Sequence, residues 1–159
     1  MVPLLTLVSC FLLARLLLRS KPNSNQQAAR YALGALWFIT GQAHFTQTAA
    51  LTAMLPPTVP YRTALIYLSG LLELAFAWAS IWRPHARLGW AMTAFLVVAL
   101  PANVYSALAG SGMGGQQGPA YLWFRVPLQL LFIAWSLWAN GTFARSSPPT
   151  RNPQREPAP

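Results

Sequence analysis

Acidic side chains are almost missing from this chain. Aspartate does not occur, and of the two glutamates Glu156 lies in a proline-rich tail, which leaves Glu73 as the only fixed anion in the apolar body. Thiols are just as scarce. Cys10 stands alone, so an intrachain disulfide and a CxxC redox pair are both excluded. Without aspartate no Ser-His-Asp arrangement can be built. The glycine-rich run 110–118 lacks the Lys-Ser/Thr that would make it a phosphate loop. His44 and His85 are expected on opposite sides of a membrane and Cys10 is remote from both, so no metal set is expected. Charge of either sign is thin: 8% of residues, against about 25% in an ordinary soluble domain. So few charges cannot cover a water-exposed surface, and 159 residues are too few for several domains.

What fills the space is apolar. Runs at 2–18, 28–44, 61–82, 88–108 and 120–139 each approach the roughly 20 residues that cross a bilayer. The expected fold is therefore an all-α transmembrane bundle. Residues 28–140 form its four-helix core, residues 1–27 an extra N-terminal transmembrane helix with a basic loop, and residues 141–159 a disordered, basic, proline-rich tail. The first run has no basic residues before its apolar core and no small-x-small site after it, so it reads as an uncleaved helix. The connection 46–55 suits a short interfacial helix. Residues 22–27 and 109–119 read as loops, and Asn140-Gly141 as a helix C-cap.

The formal net charge is +9, but the basic residues sit in short clusters between apolar runs. That pattern follows the positive-inside rule and does not suggest a nucleic-acid surface. Alternating the spans puts Arg15, Arg19, Lys21, Arg30, Arg83, Arg87, Arg145, Arg151 and Arg155 on one side. Arg62 lies on the other, with Arg125 just inside the last span. The N-terminus is expected outside and the C-terminus in the cytoplasm.

Within this frame five polar residues stand out. Glu73 lies near the middle of its span, where an ionisable group costs about 2.5–3.5 kcal/mol on insertion scales. His44 ends the second run, Asn103 follows Pro101 in the fourth, and Arg125 and Gln129 are one turn apart in the fifth. All fall in the outer half of the spans, spread over about 10–15 Å of depth by helix rise. The inner half has almost nothing comparable. One interior cluster is expected, with Glu73 paired to Arg125. Each residue also has a structural reading: an ion pair for Glu73 and Arg125, backbone satisfaction near Pro101 for Asn103, interhelical bonding for Gln129, a helix end for His44. The joint reading is a pocket with Glu73 at its floor and His44 at its rim, suited to a lipophilic ligand with one polar head.

The stretches Gly41-Gln42-Ala43-His44-Phe45, Met54-Leu55-Pro56 with Val59-Pro60, Tyr67-Leu68-Ser69-Gly70-Leu71-Leu72-Glu73, Pro101-Ala102-Asn103-Val104-Tyr105 and Arg125-Val126-Pro127-Leu128-Gln129 resemble the DoxX-like family of small bacterial membrane proteins. The resemblance implies a four-helix bundle in the bacterial inner membrane. It implies an accessory or small-ligand-binding component of a quinone-linked respiratory assembly, without an intrinsic cofactor but with a bound quinone or lipid. The lipid bilayer and other membrane subunits or a second copy would be its partners, with no nucleic acid among them. The alternative is a small membrane enzyme of isomerase or oxidoreductase type, with His44, Glu73, Asn103 and Arg125 moving protons on a lipophilic substrate.

Overall fold

A computed structural model describes residues 2–20, 23–110 and 118–142. These residues form six helices and no strand: α1 (Val2–Leu17), α2 (Ser24–Thr46), α3 (Thr48–Ala53), α4 (Arg62–Trp82), α5 (Ala86–Leu108) and α6 (Pro119–Ala139). Of the expected disordered tail 141–159 only Gly141 and Thr142 are described, and most of the glycine-rich loop lies outside the described residues.

The elements follow the apolar runs, with three differences. First, α2 begins at Ser24, so most of the expected loop 22–27 is helical. Apolarity marks where a helix is buried, whereas its polar first turn continues into water. Second, Pro101 and Pro127 lie inside α5 and α6 without ending them. Neighbouring groups can satisfy the carbonyl a proline frees, as is common in apolar surroundings. Third, among the described residues only α4, α5 and α6 are both long and apolar enough to cross a membrane. At 16 residues α1 is about 24 Å long, short of a roughly 30 Å core. Helix α2 has the length, but Asn25, Gln26, Gln27, Arg30, Gln42 and His44 dilute its apolar character. Large apolar side chains such as Leu68, Leu71, Trp78, Val98 and Leu130 face outward. These three helices and that surface are features of a membrane protein.

Helix α2 is the centre of the packing. It contacts α1, α4 and α6, and α5 packs on α6. Leu33, Leu36, Trp37, Ala77, Met92 and Leu96 lie in the shared core. There Trp37, Phe76 and Phe95 meet edge-on, with centroids 5.4–5.7 Å apart, tying α2, α4 and α5 together. Small residues set the α2–α4 distance. Gly34 and Gly41 on α2 are seven apart, as are Gly70 and Ala77 on α4, so each pair lies on one helix face. A Cβ on Gly34 would meet Ile81 and Ala77, and one on Gly70 would meet His44 and Gly41. The two helices therefore run antiparallel. Gly89, early in α5, faces Ser136 and Asn140 at the end of α6, so that pair is antiparallel too.

Helix α6 ends as its sequence suggests. Gly141 takes φ 77°, and the Gly141 and Thr142 amides donate to Trp138 O and Leu137 O at 3.1 Å, forming a Schellman cap. Arg30 Nε donates to Ala139 O at 2.9 Å and Gln26 Nε2 to Trp138 O at 3.1 Å, so the start of α2 holds the end of α6.

Candidate functional site

The α2–α4 contact builds the site. Gly41 and His44 share one face of α2, three residues apart. Ile66, Ser69, Gly70 and Glu73 share one face of α4 at helical spacings of three, four and seven. Because Gly70 has no side chain, α2 approaches closely enough for His44 to reach three of those residues. A Cβ at Gly70 would lie 2.5 Å from His44 Cβ and 3.1 Å from Gly41 O.

The His44 imidazole is held at both ring nitrogens. Nδ1 is 2.9 Å from Ile66 O and 2.9 Å from Ser69 Oγ, and Nε2 is 3.3 Å from Glu73 Oε1. A carbonyl oxygen only accepts, so Nδ1 must carry a hydrogen and donate to Ile66 O. Ser69 Oγ also lies 2.9 Å from Ile66 O and donates to it, while its lone pair faces the same Nδ1–H. The tautomer is thus assigned from the network. With Nδ1 protonated, the Nε2–Oε1 contact must itself contain a proton, because two facing lone pairs would repel. That proton resides on Nε2, giving an ion pair, or on Oε1, giving two neutral groups. Either way the pair has no net charge, which lowers the cost of burying Glu73, 7% exposed, among apolar helices.

The carboxyl is only half satisfied. Glu73 Oε2 is buried with no hydrogen-bond partner among the described residues. One level further into the bundle Trp37 Nε1 is buried and likewise lacks a partner there. Trp37 is one turn from Gly41, Phe76 is one turn from Glu73, and the two rings are 5.4 Å apart.

The five expected residues fall into two groups. The Glu73 carboxylate pairs with His44, and the expected Glu73–Arg125 ion pair does not form. Arg125 instead donates from Nη2 to Asn103 Oδ1, bridging α6 to α5, and its guanidinium lies 5.8 Å from the Tyr121 ring centre. Gln129 is buried and donates to Leu96 O at 2.6 Å, the interhelical bond its structural reading anticipates. His44, Asn103 and Arg125 sit toward the end of the bundle where α2 and α5 finish and α4 and α6 begin, and Glu73 and Gln129 lie at mid-helix. Depth along a helix is readable from sequence, but azimuth between helices is not, and azimuth decides that Glu73 faces α2.

The opposite end is more polar than expected. Ser80, Ser136 and Asn140 are buried there, with Asn140 Nδ2 donating to Ser136 O at 2.8 Å. Serine and asparagine near a helix end give no sign of burial in sequence. Ser69, Gly41 and Gly70 were also missed as site residues, although Gly-x-x-His and Ser-Gly-x-x-Glu spacings on adjacent helices are a usable signal. An apolar groove on the outside of α6, lined by Pro119, Leu122, Trp123, Val126 and Pro127, contains none of the candidates.

Residues 33–140 match a family described as a domain of unknown function, DUF8561. The chain belongs to the DUF8561 family. The DUF8561 match begins inside α2 and ends one residue past α6, so it includes every residue of the His44–Glu73 site and leaves α1 outside. Neither a curated protein nor a solved structure matches the chain.

Proposed function

We propose that this protein is a small-ligand-binding membrane component of the DoxX-like kind, and that the His44–Glu73 pair is its ligand site. The observation that supports this is the buried, unpartnered Glu73 Oε2 beside a histidine whose other nitrogen is already committed. A purely structural pair would be cheaper to bury with both oxygens bonded, because an unmet buried polar atom costs about 1–3 kcal/mol. The ligand is a lipophilic molecule with one polar head, a quinone or a lipid. The protein acts as an accessory subunit of a quinone-linked assembly in the bacterial inner membrane. In this reading α1 and α2 also cross, giving a four-helix core plus an N-terminal helix, with the N-terminus outside and the arginine-rich end in the cytoplasm.

The single proton in the Nε2–Oε1 contact favours a second reading, an enzyme that moves a proton on a lipophilic substrate, with the pair as acid and base. One experiment addresses the leading reading. The protein is purified in gentle detergent, and co-purifying small molecules are compared by mass spectrometry between wild type and Glu73→Met. A molecule enriched with the wild type and lost from the folded variant is the expected result. Identical lipid profiles would overturn the reading.

A further inference from the structure

The way Glu73 is held fixes what a ligand must offer it. Nδ1 of His44 donates to Ile66 O, so the proton between His44 and Glu73 lies on Nε2 or on Oε1. Consider the other oxygen in both cases. With the proton on Nε2, Glu73 is a carboxylate and Oε2 is an anionic acceptor. With the proton on Oε1, Oε2 is the carbonyl oxygen of a carboxylic acid and is again an acceptor. Wherever the proton sits, Oε2 receives a hydrogen bond and never gives one. Trp37 Nε1, one of several other buried groups without a partner among the described residues, can only give one.

We infer that the site takes a neutral hydroxyl group, as on a lipophilic alcohol or phenol, which donates to Glu73 Oε2. A ligand head that only accepts, such as a ketone, an ether or an oxidised quinone, leaves Oε2 unmet, so of the proposed ligands the site selects a quinol or a hydroxyl-bearing lipid. A cationic head would unbalance a pair that is already neutral. The surroundings suit an aromatic or aliphatic body. Trp37, Phe76 and Phe95 form the wall one level further in, and Phe45 stacks on Tyr67 at 5.7 Å on the exposed rim beside His44. This inference rests on reading the cluster as a ligand site, and adds the direction of the hydrogen bond. Water offers the same O–H chemistry, and the test separates the two sources.

The test uses two probes that differ in one hydrogen-bond donor: 4-octylphenol and its methyl ether, 4-octylanisole. Saturable binding of each to the full chain in lipid nanodiscs is measured by equilibrium dialysis against empty nanodiscs. The phenol is expected to bind at least about tenfold more tightly than the ether, because a buried polar group left unpaired by the analogue discriminates strongly. Glu73→Met should remove that preference. Glu73→Gln should keep it, since the amide NH2 can donate to His44 Nε2 while the amide oxygen takes the place of Oε2. Equal saturable binding of phenol and ether to the wild type would overturn the donor inference while leaving the ligand site standing. Saturable binding of neither would mean that water meets Oε2, overturning both. Loss of the preference in a folded Glu73→Gln protein would show that the charge, not the acceptor geometry, selects the ligand, and would also overturn the inference.

Discussion

At the scale of single residues, the exchange of partners around Glu73 changes what substitution should do. His44, not Arg125, compensates its burial. His44→Leu alone leaves a carboxyl with neither oxygen bonded, at a cost of about 3–5 kcal/mol, as for other broken buried pairs. Joint replacement of His44 and Glu73 by leucine removes both polar groups and should recover more than half of that loss. Unfolding of the two singles and the double in the same detergent measures the coupling, and purely additive losses would refute the pairing. Arg125→Met combined with Glu73→Leu supplies the contrast. Glu73 bonds to His44 on α2 and Arg125 to Asn103 on α5, so their effects should add within about 0.5 kcal/mol. The tautomer is a separate expectation. Nitrogen-15 NMR of His44 should show Nδ1 protonated whether the shared proton sits on Nε2 or on Oε1, and an unprotonated Nδ1 would contradict the assignment.

At the scale of helices, the α2–α4 interface is set by residues without side chains. Gly70→Ala places a Cβ 2.5 Å from His44 Cβ, 3.0 Å from the Phe45 ring and 3.1 Å from the Gly41 carbonyl. Two of those three obstacles are backbone or a first side-chain carbon, so the helices must part. At Gly34 the new Cβ meets the flexible Ile81 side chain at 3.0 Å and Ala77 O at 3.2 Å, which smaller shifts can relieve. Gly70→Ala should therefore destabilise by about 1–3 kcal/mol, the usual range for overpacking, and Gly34→Ala by clearly less. Gly70→Ala should also move His44 off Glu73, read as a change in the His44 ring resonances. Equal destabilisation by the two substitutions would mean that the close approach at Gly70 is not what fixes the interface.

At the scale of the whole molecule, antiparallel packing of α2 on α4 and of α5 on α6 gathers the basic residues. Arg15 reaches Ser24 at 3.4 Å and Arg30 holds the end of α6, while Arg83 and Arg87 flank the turn from α4 to α5. Arg62, at the start of α4, lies at the opposite end with His44. The proposed orientation makes position 62 periplasmic and position 85 cytoplasmic. In a Cys10→Ala background, an impermeant thiol reagent applied to intact cells should label a cysteine at 62 and spare one at 85. Labelling at 85 with protection at 62 would invert the topology.

What the sequence determined by itself is one-dimensional. Composition, run length and the scarcity of charge established helices, their order and the level of each polar residue along its helix, while of the five expected spans three described helices are long and apolar enough to cross a membrane. The Asn140-Gly141 cap and the short helix before Pro56 were legible for the same reason, since caps and turns depend on neighbours in the chain. Tertiary structure decided which way each face turns. Glu73 and Arg125 are the two opposite charges nearest in depth, so sequence pairs them, but packing turns Glu73 toward α2 and Arg125 toward Asn103. The cause lies in glycines that carry no charge or chemistry of their own. Their missing side chains let α2 and α4 approach until a histidine, a serine hydroxyl, a carbonyl and a carboxyl share one contact. That approach is a property of two surfaces meeting, and a single chain read in order does not contain it.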